Sequence, residues 1–234
     1  MINCYSCSPV WGWRNSPPIR SGLRVIGQPE GEQITLAEAK LHLRIDDEGG
    51  SPTQPHPDDT LIQTLIVAAR EWCENDTGRA LVPQTFELVT SAWPARSFYA
   101  IENTNELPLP MSPISIITSV TYLDGDGASQ VLAASAYTLD NWSEPSWLYS
   151  AVDTSWPTVQ GVRNAITVRY NAGYTLPNAS PDDRPLPKSI KAAMLLIIGH
   201  LYENREETTE LKLMSLPLGA SSLLDRWRLR LGIA

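Results

Sequence analysis

The chain has 234 residues, with 18 Lys and Arg against 26 Asp and Glu, and a formal net charge of −8 at pH 7. Because it has no block of clustered basic residues, the sequence argues against ordinary sequence-independent DNA binding, which needs Lys and Arg to neutralise phosphates. The odd cysteine count and the lack of a signal-like apolar run lead us to expect synthesis in a reducing cytoplasm.

Residues 1–33 are rich in proline and glycine and show no helical or strand period. This pattern, together with Trp11 and Trp13, predicts an extended arm that becomes ordered against a partner chain; the alternative is a disordered terminus. Cys4 and Cys7 form a lone C-x-x-C without a second ligand pair, so we expect no metal site there.

A capping box predicts the first helix. The Thr35 hydroxyl can accept from the Glu38 amide, while the Glu38 carboxylate reaches back to Thr35. Apolar residues then follow to near Arg44, at Leu36, Ala39, Leu41 and Leu43. The acidic, Gly- and Pro-rich run at 46–57 predicts a loop.

A second helix is predicted to start with a carboxylate cap at Asp58 or Asp59 and to run to about Thr77. Gly78 suits the left-handed residue that follows a helix. One face of this helix is apolar, comprising Leu61, Leu65, Ala68, Ala69, Trp72 and Cys73. We expect this face to pack against the helix that begins after Pro187.

Residues 84–171 change to alternating and β-branched patterns, which predict a small antiparallel β-domain or sandwich with negligible helix. The strands are expected at 85–89, 114–123, 131–132, 137–139 and 165–170. The Asp-Gly-Asp-Gly run at 124–127 predicts a hairpin turn. It resembles the start of a calcium loop but lacks the further oxygen ligands of that site.

The most apolar helix is predicted over Pro187–Glu207. One stripe carries Ile190, Ala193, Met194, Ile197 and Leu201. Leu195, Leu196 and Ile198 cover much of the remaining surface, so we expect them to contact neighbouring subunits, together with Trp11 and Trp13. The segment is too short and too interrupted to span a bilayer.

A last helix is predicted over 220–231, after a break at 216–219. Its residues Leu223, Leu224, Trp227 and Leu231 share one side, and the only basic cluster of the chain lies among them, at Arg226, Arg228 and Arg230. Trp, Leu and Arg together at a terminal helix indicate a docking surface for a protein partner.

These elements predict an α+β fold: a small antiparallel helical bundle (34–83 and 172–234) with an inserted antiparallel β-domain (84–171), an extended N-terminal arm (1–33) and a C-terminal docking helix. No nucleophile, phosphate-binding or zinc-protease motif is present in the sequence, and we expect no catalytic, cofactor or metal site. Two alternatives remain: a carbohydrate-binding or hydrolytic module using tryptophans such as Trp93 and Trp156 with the Asp and Glu groups of the insertion, and a DNA-binding packaging accessory using the three arginines.

Several strings, in this order and spacing, resemble the head–tail connector proteins of long-tailed bacteriophages, also called adaptor or head completion proteins, in the larger version with a β insertion. The strings are 34–45, 59–71, 77–86, 168–174 and 187–206, so the resemblance spans about residues 34–231. Residues 1–33 and the loop at 46–57 depart from the pattern.

The resemblance implies a structural virion protein, made in the host cytoplasm, whose copies form a ring in the neck, commonly a dodecamer. Such a ring lies between the portal and the stopper or tail, extends the DNA channel and catalyses no reaction. Packaged DNA passes without specific binding, which an acidic channel wall favours. We expect the β insertion on the outer wall or the tail side, and the portal contact at Leu223, Leu224, Arg226, Trp227, Arg228 and Arg230.

Overall fold

The computed structural model describes residues 21–45, 55–94, 106–177, 184–204 and 218–229. Its elements, in chain order, are β1 (Ser21–Gly27), α1 (Leu36–Leu43), α2 (Asp59–Thr77), β2 (Gln84–Thr90), β3 (Glu106–Leu109), β4 (Ile114–Leu123), β5 (Ser129–Val131), a 3₁₀ turn (Ala134–Ala136), β6 (Tyr137–Asp140), β7 (Ser146–Ser150), β8 (Ile166–Ala172), α3 (Lys188–Glu203) and α4 (Leu218–Asp225). Helices and antiparallel sheets segregate along the chain, so the predicted α+β class is confirmed.

The predicted capping box of α1 is confirmed. The Glu38 amide donates to the Thr35 hydroxyl at 3.2 Å, and the Thr35 amide donates to the Glu38 carboxylate at 3.0 Å. Arg44 ends the helix in the left-handed conformation, with φ of 54°. Leu41, however, is 71% exposed. The helix is short, and it turns that side chain away from α2 and α3.

The predicted carboxylate cap of α2 is wrong. Asp58 stands at the N-cap position but makes no side-chain bond to the first turn; its carboxylate instead accepts from the Tyr202 hydroxyl at 2.6 Å. The Asp59 carboxylate accepts from the His56 amide and pairs with Lys40 at 2.6 Å. Both carboxylates therefore connect α2 to its neighbours. At the other end, Gly78 has φ of 69°, as predicted.

One hydrophobic core fills the helical part, where α3 packs against both α2 and α4. The predicted stripe of α3 is confirmed for four members, whereas Leu201 is 37% exposed. The buried face of α2 lies around Ile62, Ile66, Ala69 and Cys73, so the prediction is right for Ala69 and Cys73 and misses the two isoleucines. The predicted Leu65 and Trp72 are partly buried and pack against the same core. Among the described residues, no helix is long and apolar enough to cross a membrane.

The β part is a sandwich with its own core. A five-stranded antiparallel sheet in the order β1-β2-β8-β4-β5 faces a three-stranded sheet in the order β3-β7-β6. Along β8, Ile166, Val168, Tyr170 and Ala172 point into the core and alternate with more exposed residues, as a half-buried strand requires. The hairpin turn is confirmed, since the Asp124 carboxylate accepts from the Asp126 and Ala128 amides.

Three strands were not predicted. β1 lies in the segment predicted as an arm, and it pairs with β2 of the same chain between Ser21 and Gly27. β3 contains Pro108, which argues against a central strand but is tolerated because β3 lies at the edge of its sheet. The third, β7, follows Pro145. Residues 1–20 lie outside the described residues.

Besides the link from β1 to α1, the chain passes between the helical and β parts at a place that we call the crossing: residues 81–83, leading into β2, and residues 173–175, leading out of β8. The buried Gln33 amide donates to the carbonyl oxygens of Leu81, Tyr174 and Thr175, at 2.8, 3.3 and 2.9 Å. One side chain thus joins both connections to the start of α1. The crossing fixes how the β part leaves the bundle.

Candidate interaction surface

The C-terminal segment, residues 218–229, packs onto the helical core. Leu224 and Ala220 are fully buried there, and Leu223 and Trp227 pack against the same core. The Trp227 indole N–H donates to the Ser189 hydroxyl at 2.8 Å. The structure therefore places Leu224 and Trp227, two of the predicted portal-binding residues, largely inside the subunit.

α4 ends at Asp225, six residues before the predicted end at Leu231. Beyond it, the Trp227 amide donates to the Leu224 carbonyl at 2.8 Å, and the Leu229 amide donates to the Thr77 carbonyl at 2.9 Å. The chain turns back onto the end of α2, so the predicted long helix is wrong. Arg226 and Arg228 lie in this turn, while Arg230 lies outside the described residues.

Arg79 joins this turn to the β part. Its guanidinium is 3% exposed, and its Nε donates to the Trp227 carbonyl at 2.5 Å. Its two terminal nitrogens bind both oxygens of Glu144, one at 2.9 Å, in a bidentate pair. The hydrogen bonds from Arg79 lower the pKa of Glu144 below its ordinary value. The β6–β7 loop is thereby fixed to the C-terminal segment.

The two described arginines of the predicted basic cluster, Arg226 and Arg228, differ in their contacts. Arg228 pairs with Asp76 at 2.7 Å and with Asp225 at 2.7 Å. The hydrogen bond to Asp76 raises the pKa of Arg228. Arg226 is exposed, with its guanidinium 5.6 Å from the centre of the Trp227 ring. Two carboxylates thus balance the charge of Arg228, which disfavours the DNA-binding alternative.

Beside this turn lies a cleft of about 480 Å³ lined by Arg79, Glu144, Asp225, Arg226, Arg228 and Leu229. Two residues before Glu144 in the chain, Trp142 is 92% exposed. Its backbone is held in place, because the Trp142 and Ser143 amides donate to the Asp140 carboxylate at 2.9 and 3.2 Å. We call Arg226, Arg228 and the loop 141–145 the C-terminal surface. The sequence prediction missed Trp142, although a tryptophan in a run of polar turn residues was a usable signal.

The residues predicted to contact neighbouring subunits differ in how far they are exposed. Leu196 is 38% exposed, Leu195 is partly buried and Ile198 is fully buried in the subunit's own core. Leu196 is therefore the member of this group with the most surface available to a neighbour. Trp11 and Trp13 lie outside the described residues.

The described residues give little support to catalysis or to carbohydrate binding. They contain no group of three or more His, Cys, Asp or Glu that could hold a metal ion. Burial raises the pKa of the Cys73 thiol to about 12, so it stays protonated near neutral pH. Trp93 and Trp156 stack on each other with ring centres 4.2 Å apart. One face of each ring is therefore covered by the other ring and is not available to a sugar.

The comparisons with known proteins agree with this fold. The family model of phage gp6-like head-tail connector proteins matches residues 33–121, which include α1, α2, β2, β3 and most of β4. No curated protein matches the chain.

Solved structures of gene transfer agent (GTA) particles contain similar chains. One from the virion of a native GTA particle has a TM-score of 0.67 and 23% identity, over 90% of this chain and 97% of that chain. Two from GTA necks, computed with C6 and C12 symmetry, have TM-scores of 0.66 and 0.64 and 22% identity, over 91% of this chain and 97% of theirs. At this identity they show a shared fold. The family match confirms the resemblance drawn from the sequence: residues 33–121 of this chain are similar to the phage gp6-like head-tail connector proteins.

Proposed function

We propose that the chain is a structural protein of the neck of a phage or phage-like particle. Its copies form a ring between the portal and the stopper or tail, and the DNA channel runs through that ring. The observation that carries the proposal is the family match over residues 33–121. The similar fold of chains in GTA necks supports it.

In this role the chain binds proteins and catalyses nothing. Its net charge of −8 suits a channel wall that repels DNA and keeps it mobile. We assign the β part to the outer wall or the tail side of the ring. Leu195, Leu196 and Ile198, with Trp11 and Trp13, remain the proposed contacts with neighbouring subunits, and exposed Leu196 is the first of them to test.

We place the portal contact at the C-terminal surface. Arg226 and Trp142 are exposed there and belong to the residue types that contribute most to interfaces. Leu223, Leu224 and Trp227 hold the segment on the bundle, and Arg228 and Arg230 complete the proposed portal-binding set. Because Leu224 is fully buried, deleting residues 220–234 would open the core and would not test binding alone.

Particles assembled without this chain test the overall role. We expect DNA-filled heads that lack tails, and electron microscopy of the full chain mixed with its portal should show an added ring of density. Normal tailed particles in its absence would refute the proposal.

Arg226→Glu tests the portal contact. We expect portal binding to weaken about tenfold or more with the unfolding midpoint unchanged, because Arg226 is exposed. Arg163→Glu, at an exposed position in the loop before β8, is the matched control and should bind as the wild type does. Equal binding by all three proteins would remove Arg226 from the contact.

A further inference from the structure

The five-stranded sheet has two open edges. β1 is hydrogen-bonded to β2 on one side, and no strand in the described part of the chain lies on its other side. β4 is hydrogen-bonded to β8, but on its other side β5 pairs only with residues 121–123. Among the described strands none pairs with the backbone of 114–119 on that side, so both ends of one sheet can accept another strand.

The edge at β1 is apolar and uncovered. The register places Val25 beside Phe86 and Leu23 beside Leu88. Phe86 and Leu88 are buried, at 1% and 3% exposed, whereas Leu23 and Val25 are 39% and 43% exposed. The core face of the sheet thus continues onto β1, and no other described residue forms a covering layer over it. Ile26, at the irregularity between Val25 and Gly27, is 45% exposed.

The edge at β4 is also apolar. Ile116 is 57% exposed on β4, and Val131 is 74% exposed on β5. The sequence of residues 114–120, ISIITSV, has no charged residue. Exposed strand edges in stable monomers are commonly protected by charges, prolines or bulges. This edge has bulges but no charge, so an incoming strand meets no electrostatic barrier.

The one charged side chain of β1 is already engaged. Arg24 binds the Glu87 carboxylate, with its Nε at 2.7 Å, and Arg169 binds the other oxygen of Glu87 at 2.7 Å. Glu87 is 2% exposed between them. The Arg24 side chain is 69% exposed, but because its charge is paired within its own sheet it protects the β1 edge less than a free lysine would.

We propose that β1 of one copy pairs with the open edge of β4, residues 114–119, in the next copy. Adding a strand to an open edge is a common mode of recognition. The two edges differ and lie at opposite ends of one sheet, so the contact is heterologous, repeats from copy to copy and can close a ring. The inference rests on the proposed function, since it names the surface by which that ring forms. The second copy is the occupant argued here because one chain carries both uncovered apolar edges.

Two lysine substitutions test the pairing in the full chain. Val25→Lys blocks the β1 edge, Ile116→Lys blocks the β4 edge, and Val152→Lys, at an 87% exposed position outside the strands, is the control. Ring formation is measured by sedimentation velocity, for the chain alone and with its portal, and thermal unfolding checks that each variant is folded. We expect each edge variant to weaken association about tenfold or more, and the control to behave as the wild type.

Mixing the two edge variants makes the test specific. A Val25→Lys copy keeps an intact β4 edge and an Ile116→Lys copy keeps an intact β1 edge, so an equimolar mixture should form dimers that do not grow into rings. Folded variants that form wild-type rings, or a mixture that stays monomeric, would overturn the edge pairing. So would a ring structure in which residues 1–20 of the same chain, or a tail protein, cover these edges. A wild-type chain that forms no ring, alone or with its portal, would refute the proposed function instead.

Discussion

Gly173 approaches Val82 so closely that a Cβ on Gly173 would lie 2.0 Å from the Val82 carbonyl oxygen. The φ of Gly173 is 126°, a conformation that other residues rarely adopt. Glycine is thus required here both by space and by backbone geometry. The contact lies at the crossing, where the chain returns from β8 to the helical part, so it bears on how both parts fold.

Gly173→Ala should destabilise the protein severely, by about 4 kcal/mol or more, because the backbone of Val82 would have to move. Urea unfolding at one fixed protein concentration measures the change. Gly161→Ala is the control, since a Cβ there meets nothing within 4 Å, and it should be nearly neutral. Equal stability of the two variants would show that the crossing is not tightly packed.

Glu144→Gln should lower the free energy of unfolding by about 1–2 kcal/mol, because it removes one charge of the pair with the buried Arg79 while Glu144 itself is half exposed. Amide exchange of residues 226–229 should also quicken, since Arg79 holds the Trp227 carbonyl. Glu203→Gln, at an exposed position, should change neither quantity. Unchanged exchange in the Glu144 variant would mean that the β6–β7 loop does not stabilise the C-terminal segment.

The ion pairs of Glu87 should make the free energy of unfolding decrease as the pH becomes acidic. Burial opposes its ionisation, but the hydrogen bonds from Arg169 and Arg24 outweigh burial, so its pKa in the folded protein lies below the ordinary value. Because the pKa of Glu87 is lower in the folded protein than in the unfolded chain, the ionised carboxylate stabilises the fold at pH values above the unfolded pKa of about 4.3. This contribution is lost as the pH falls through the folded pKa. The stability gap between the wild type and Glu87→Gln should therefore narrow from pH 7 to pH 3.

Urea unfolding across that pH range measures this gap. Glu30→Gln removes a carboxylate at an exposed position, so its free energy of unfolding should differ little from that of the wild type at every pH. A Glu87 gap that stays constant with pH would exclude the ion pairs as its cause.

Thr35→Ala should cost about 1 kcal/mol, because the Glu38 amide loses its acceptor at the start of α1. Thermal unfolding detects this as a lower midpoint. Thr158→Ala, in an exposed loop position, should leave the midpoint unchanged. An unchanged midpoint in the Thr35→Ala variant would indicate that tertiary contacts alone stabilise α1.

Local chemistry made parts of this fold predictable from sequence. The capping box at Thr35, the left-handed Gly78 and the Asp124 turn depend on neighbours within a few residues, and all three were predicted correctly. The limits of β4 were also predicted to the residue, because its β-branched run is bounded by Pro113 and Asp124.

Other parts depend on distant residues and could not be predicted in this way. Ser21–Gly27 becomes a strand only because β2 offers it an edge, and its own pattern suggested an arm. The early end of α4 follows from the Trp227 bonds to Ser189 and Arg79, which are 38 and 148 residues away in the chain. At the C-terminal surface, the sequence indicated the arginines but not the carboxylates that pair with them.

The crossing has a consequence for how such proteins vary. The segment from β2 to β8 leaves and returns through two adjacent backbone stretches bound by Gln33, so its loops far from the bundle, other than the β6–β7 loop that Arg79 holds, can lengthen or shorten without disturbing the bundle. One helical base can therefore carry loops of different length at the far end of the β part.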